Sequence, residues 1–398
     1  MIPDWRDLRN IAGSFLEDAQ RLGMWAIAGS GPPLYEVVPY RGYGTTWRVL
    51  VQGRAMQANG IGPAGEHDNM LVNLINTYKR VDSDALKHAR VSVRIGDVER
   101  ELVADDEGFF REWIDLASPL AVQGGWHPVD VRLLSPLQPT QPDVRATGRI
   151  RIPGAGATFG VISDLDDTVI QSRIANFLQA VRTIMLGNAR TRLPFAGVAA
   201  FYRALELGGD GHRSNPIFYV SSSPWNIHDV ITEFLALQKI PDGPVLLRDW
   251  DIELSALTSS RLKQHKEPLI REILDAYPSM PFILIGDTSQ RDPEIYREIV
   301  RLYPGRILAI YIRNVDPNPE RSTSVQELAK EVLAAGSSLV LADDTAAAAK
   351  HATEHGWIAP EHVERVQQEK KADEGKTGEK VDAPGVPKDP DAPTIKVE

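Results

Sequence analysis

The chain contains no cysteine. Disulfides, cysteine-based zinc sites and thiol nucleophiles are therefore excluded, and the redox compartment stays unread. It also lacks any run of about 18 apolar residues, so no segment reads as a membrane-spanning helix. Its first residues, MIPDWRDLRN, show no basic stretch followed by an apolar one, so no secretory signal is expected there. Positive charge is in deficit: the formal net charge is -10. That balance argues against general nucleic-acid binding, while a local basic patch for an anionic substrate stays open. What is present is ample core material. At 398 residues and 42% hydrophobic, the chain can build two ordinary domains. The simplest expectation is a soluble, cytoplasmic protein.

Periodicity divides the chain. Asp4 to Leu22 carries apolar residues at helical spacing, so residues 1–34 read as a helical segment docked on the next domain. Over 35–153 the period becomes two: Trp47, Val49 and Val51, then Val91, Val93 and Ile95, then Val129, Val131 and Leu133, with Gly and Pro between runs. This predicts a mostly-β accessory domain of sandwich type. His67 and His127 are isolated in it and read as loop or surface residues. From Thr158 a different grammar begins. Apolar strands at Phe159–Ser163, Ile217–Ser221, Val245–Leu247, Phe282–Ile285 and Ile307–Ile312 alternate with helical stretches at Asn226–Leu237, Lys263–Ala276 and Pro293–Leu302. That pattern predicts an α/β domain over 154–365, a parallel sheet with helices on both faces. Ligands of such sheets sit beyond the carboxyl ends of the strands. Beyond residue 365 the composition turns polar, and 366–398 reads as a disordered tail.

The chemistry gathers at those strand ends. The first strand runs into Asp164-Leu165-Asp166-Asp167-Thr168, and the second into Ser221-Ser222-Ser223-Pro224-Trp225. His265-Lys266 opens a helix, and the fourth strand runs into Gly286-Asp287-Thr288-Ser289-Gln290-Arg291-Asp292. Crowded carboxylates at a core strand's mouth cost several kcal/mol unless a cation compensates. A carboxylate can attack phosphorus and form an acyl-phosphate. A second acid two residues on can protonate the leaving alkoxide and then deprotonate water. Carboxylates from two strand ends suit Mg2+, while a hydroxyl and a lysine hold the remaining phosphate oxygens.

In this order, DxDxT, strand-Ser, Lys and GDxxxxD, the motifs resemble the haloacid-dehalogenase superfamily of phosphotransferases. The flanking stretches SDLDDT, FYVSSSPWN, LPFAGVAAFYRAL, LIGDTSQRDPEIY and RILAIYIRNV are similar to the catalytic domain of actin-patch-type phosphatidate phosphatases. The resemblance covers about residues 156–358 and implies a Rossmann-like sheet and a Mg2+-dependent phosphatase. By it, Asp164 is the nucleophile and a metal ligand. Asp166 is the general acid/base and lends its carbonyl to the metal. Thr168, Ser221 and Ser222 bind phosphate, and Lys266 stabilises the aspartyl-phosphate. Asp287 and Asp292 complete the metal shell, Asp292 directly or through water. Asp167 stands where many members have Gly, and its role stays open.

Simpler readings accompany these. Lys263 is an alternative to Lys266, Ser223 to Ser221, and Asp292 and Thr168 can each cap a helix. Leu341-Ala342-Asp343-Asp344-Thr345 also follows an apolar strand, but its acids lack the i, i+2 register, so it reads as a helix start. His351 and His355 lack the inner Glu of HExxH and read as surface helix positions. PGAGATFG precedes its strand and is therefore no phosphate loop.

No separate cap domain is evident between the motifs, so an open site for a bulky phosphate is expected. Ile174, Phe177, Leu178, Val181, Ile184 and Met185 form an apolar stripe with Arg173, Arg182, Arg190 and Arg192 nearby. It reads either as a packed core helix or as an edge meeting an anionic phospholipid at the membrane surface. Three functions are open: a phosphatidate phosphatase, a phosphatase of soluble or protein-borne monoesters, or a non-enzymatic phospho-acceptor or scaffold.

Overall fold

The computed structural model describes residues 34–58, 85–121, 125–165, 197–225, 228–248, 265–288, 291–314, 319–342 and 345–378. The expected N-terminal helix, the apolar stripe after the first motif and Lys263 lie outside them.

Among the described residues seven strands come first: β1 (Leu34–Gly44), β2 (Arg48–Ala58), β3 (Arg90–Ile95), β4 (Val98–Val103), β5 (Phe109–Asp115), β6 (Trp126–Ser135) and β7 (Arg145–Arg151). They form one sheet in the order β4-β3-β6-β7-β1-β2-β5. Its edge strands β4 and β5 touch, so the sheet curls nearly into a barrel. This corrects the expected sandwich. Alternation tells which face of a strand is buried, but two facing sheets and one curled sheet bury it alike. The parallel pairing of β1 with β7 joins what would otherwise be two sheets.

The register of β1 against β2 shifts between Tyr40 and Tyr43, an irregularity of the kind that bends a strand. Along this strand Val37 enters the barrel core, while Tyr40 and Tyr43 enter the cores of the second sheet. Leu50 of β2 does the same. Strand β2 is therefore buried on both faces. Trp47, expected to continue its inward series, lies in the preceding turn and is 55% exposed.

The second sheet has six parallel strands in the order β10-β9-β8-β11-β12-β13. They are β8 (Gly160–Asp164), β9 (Ile217–Pro224), β10 (Val245–Arg248), β11 (Phe282–Asp287), β12 (Ile307–Arg313) and β13 (Ser338–Ala342). Among the described residues the helices are α1 (Val198–Leu207), α2 (His228–Leu237), α3 (Lys266–Ala276), α4 (Asp292–Leu302), α5 (Pro319–Ala334), α6 (Thr345–Glu354) and α7 (Pro360–Gly378). Val161, Ile283 and Ala309 pack with α1, α2, α6 and α7, whereas Ile162, Leu284 and Ile310 pack with α3, α4 and α5. Burial on both faces explains why these strands read as continuous apolar runs. Helix α7 carries the fully buried Val366, so regular structure continues past the point where the composition turns polar.

The two sheets are fastened together by side chains. Tyr43 meets Phe218 edge-on at 5.3 Å, and its hydroxyl donates to Glu272 Oε1 at 2.8 Å. Arg41 and Arg149 both pair with Asp242. Buried Arg151 donates to the carbonyls of Gly125 and Ser214.

Candidate active site

The strand order places the three motif-bearing strands side by side, β9-β8-β11. Asp164 is the last residue of β8 and stands opposite Val220, so Ser221 follows one residue farther along β9. On the other side Ile285 is opposite Ser163. Gly286 and Asp287 therefore flank Asp164 across one strand spacing of about 4.8 Å. Both acids are buried, Asp287 completely.

Lys266, the first residue of α3, supplies the countercharge. Its Nζ lies 2.6 Å from Asp164 Oδ1 and 3.0 Å from Asp292 Oδ1. The other oxygen of Asp292 accepts from the backbone N–H of Asp287 at 3.2 Å. One fully buried carboxylate thus ties the lysine to the β11 end. The helix-cap reading of Asp292 is corrected here: Asp292 is the first residue of α4, and its carboxylate turns inward to Lys266 and Asp287. Buried ions survive only when compensated in this manner. Two carboxylates thus share one ammonium, and the buried Asp287 carboxylate stands on the adjacent strand end.

Among the described residues no three acid or histidine side chains cluster as a metal cage. Mg2+ does not need one, because it keeps several waters and takes one or two carboxylates plus phosphate oxygens. The hard oxygen donors of Asp164 and Asp287 on adjacent strand ends fit that requirement.

Ser221 is fully buried and Ser222 partly so. Ser221 Oγ accepts from Ser223 N–H at 3.0 Å. Asp166, Asp167 and Thr168 lie outside the described residues. Of the expected site residues, Asp164, Lys266, Asp287 and Asp292 come together, with Ser221 and Ser222 on the neighbouring strand end.

Other neighbours were not singled out by sequence. Tyr202 of α1 donates to Ser163 Oγ at 2.6 Å, and Ser163 donates to the carbonyl of Asp164 at 3.0 Å. Burial above all, reinforced by the Asp164 and Asp287 charges, pushes the Tyr202 phenol up to about 12. Tyr296 of α4 donates to the Ile285 carbonyl at 2.8 Å. Burial, then Asp292 and Asp164, raise it well above the ordinary tyrosine value. Arg313 ends β12 opposite Asp287 and lines, with Phe201, Tyr202 and Tyr311, a cleft that opens on Asp164. Its position at a strand end was the available signal. His351 also differs from expectation: it is half-buried against the Tyr311 hydroxyl at 3.0 Å.

Comparison with known proteins places this geometry. Residues 159–314 match the family model described as the catalytic domain of phosphatidate phosphatase APP1. Phosphatidate phosphatase APP1 of Saccharomyces cerevisiae is 28% identical over 156 residues, covering 39% of this chain and 26% of the yeast protein. An uncharacterised protein of Schizosaccharomyces pombe is 27% identical over 159 residues, covering 39% of this chain and 25% of that protein. The match thus spans about a quarter of either relative. Among solved structures, a carbohydrate acetylesterase from Xanthomonas citri is 11% identical, covers 76% of this chain and 74% of its own, and has a TM-score of 0.24. A likeness that low carries no argument. The stretch that brings Asp164, Ser221, Lys266, Asp287 and Asp292 to one sheet edge is the part of the chain that matches the APP1 catalytic-domain family model.

Proposed function

We propose that this chain is a Mg2+-dependent phosphatidate phosphatase of haloacid-dehalogenase type, working through an aspartyl-phosphate. The observation that carries the reading is the Lys266 ammonium held between Asp164 and Asp292 at a strand end. In that arrangement an acid is kept ionised yet partly neutralised, as an attacking carboxylate facing a phosphate dianion requires.

An oxygen of Asp164 attacks phosphorus, and the bond from phosphorus to the ester oxygen breaks. Asp166 gives its proton to the departing alkoxide, yielding diacylglycerol. Asp166 then takes a proton from water as that water attacks the phosphorus. The bond between phosphorus and Asp164 breaks, releasing inorganic phosphate and the free carboxylate. Ser221, Ser222 and Thr168 hold the phosphoryl oxygens, and Lys266 offsets their charge. Asp164, the Asp166 carbonyl and Asp287 would hold Mg2+, with Asp292 positioning Asp287 and Lys266. The ion supplies further charge neutralisation. A lipid substrate implies contact with a membrane surface. Among the described residues no helix is long and apolar enough to cross a membrane.

Phosphate release from phosphatidate in mixed micelles tests the reading. Release with Mg2+, lost with chelator and in Asp164→Asn, is expected. Release only from soluble or protein-borne monoesters would move the substrate class. No release from any monoester would end the enzyme assignment.

A further inference from the structure

Helix α6 carries His351 in its last turn, and His355 is the first residue beyond it. The His355 N–H still bonds to the His351 carbonyl at 3.3 Å, so helical spacing holds and the two side chains are neighbours on one face. Their imidazole rings lie with centroids 4.2 Å apart and planes at 34°. Both pack near the indole of Trp357, His351 at 5.8 Å and His355 at 4.7 Å. His351 is half-buried and His355 is exposed, so solvent reaches the pair from the His355 side.

The hydrogen bonds of the rings decide which nitrogen is available. His355 Nδ1 lies 2.9 Å from the backbone carbonyl of His351. A carbonyl only accepts, so Nδ1 carries the proton and the lone pair of the neutral ring sits on Nε2. His351 Nδ1 lies 3.0 Å from the hydroxyl of Tyr311, a buried residue of β12. A phenol accepts as well as donates, so the same tautomer is open to His351. Among the described residues neither Nε2 takes part in a hydrogen bond. A histidine whose other ring N–H is held by a carbonyl or similar acceptor is the usual state of a metal ligand.

Electrostatics agree. Burial first, and then the neighbouring His355, hold the His351 ring below the ordinary imidazole value, with Glu354 acting in the opposite sense. A ring that resists protonation keeps its lone pair, and the Glu354 charge favours a cation beside it. Ligand type sets the ion. Imidazole nitrogens suit Zn2+, Cu2+ and Ni2+, whereas carboxylates such as Asp164 and Asp287 suit Mg2+. Two nitrogens bound to one tetrahedral ion at about 2.0–2.1 Å stand roughly 3.3 Å apart. Rings already stacked at 4.2 Å reach that separation by small side-chain rotations.

We infer that His351 and His355 form a second cation site, which takes a borderline transition-metal ion through both Nε2 atoms, with water in the remaining positions. Tyr311 and the His351 carbonyl orient the two rings. The bound ion clips the last turn of α6 to the residue that follows it. The site is distinct in chemistry from the carboxylate cluster at Asp164, and it does not depend on the phosphatase reading.

The test titrates Cu2+ and Zn2+ into the full chain held in excess Mg2+, which keeps hard oxygen donors occupied. Binding of one ion per chain is expected, with coupling to two imidazole nitrogens in the Cu2+ electron paramagnetic resonance spectrum and a rise in Tm with Zn2+. His355→Ala changes an exposed side chain. It is expected to bind at least about tenfold more weakly, to lose the second nitrogen coupling and to lose the Zn2+ rise in Tm. Tyr311→Phe keeps both ligands and should weaken binding by roughly tenfold, the scale for an orienting partner. A spectrum with one nitrogen or none in the wild type, binding abolished by Mg2+, or affinity unchanged in His355→Ala overturns the site.

Discussion

A methyl group on Gly286 would lie 2.6 Å from Asp292 Oδ2 and 2.7 Å from Asp292 Cβ. Glycine is thus what lets the Asp292 carboxylate close over β11 and reach both Lys266 and the Asp287 N–H. Gly286→Ala must displace that carboxylate, a local overpacking worth about 1–3 kcal/mol. A lower Tm and phosphate release reduced at least tenfold, roughly the rate equivalent of 1.4 kcal/mol, are expected. Unchanged activity would show that Asp292 does not position the site.

Lys266 is the shared partner of two buried acids, so its removal strands both. Lys266→Met is expected to destabilise by about 3–5 kcal/mol, the scale for breaking a buried ion pair. Adding Asp292→Asn should recover part of that loss. Urea unfolding of the two single variants and the double variant gives the coupling energy, and simple additivity would contradict the shared contact.

Tyr202 titrates high because it is buried near two acids. Its phenol is pushed up to about 12, against about 10 in an unfolded chain. The folded state therefore holds the proton more tightly. Its contribution is complete below about pH 10 and is lost as pH rises toward 12. In urea melts across that window Tyr202→Phe should show a shallower fall in stability than the wild type. At neutral pH the variant should lose about 1 kcal/mol, the worth of its bond to Ser163. Parallel pH slopes would refute the assignment.

Metal binding should stabilise as well as activate. Mg2+ at a hundredfold excess over its Kd is expected to add about 2.7 kcal/mol to the folded state. The matching rise in Tm should shrink strongly in Asp287→Asn. An equal rise in both proteins would place the ion elsewhere.

The strand-end residues were legible because their signal is short-range. An apolar run followed at once by Asp164, Ser221 or Asp287 names both the strand and what stands at its mouth. The order of β9, β8 and β11 also agreed with the expectation that such ends share one edge. Less of the first module could be read. The period-two pattern marked Val91, Val93, Val129 and Val131 as inward, and they are buried. It did not show that Leu50, between the inward positions of β2, is also buried, because its cover comes from the other sheet.

Sequence by itself determined the chemistry on offer: which acids, hydroxyls and lysine stand at strand ends, and that these strands are covered on both faces. Local periodicity and residue type suffice for that, since each is set within a few residues. Tertiary structure decided which groups actually touch. The bridge from Lys266 to Asp164 and Asp292, the bond from Tyr202 to Ser163 and the stacking of Trp225 on Tyr40 join residues far apart in the chain. Their contacts depend on strand order, the bend in β1 and the packing of one sheet on the other, and no local pattern encodes these.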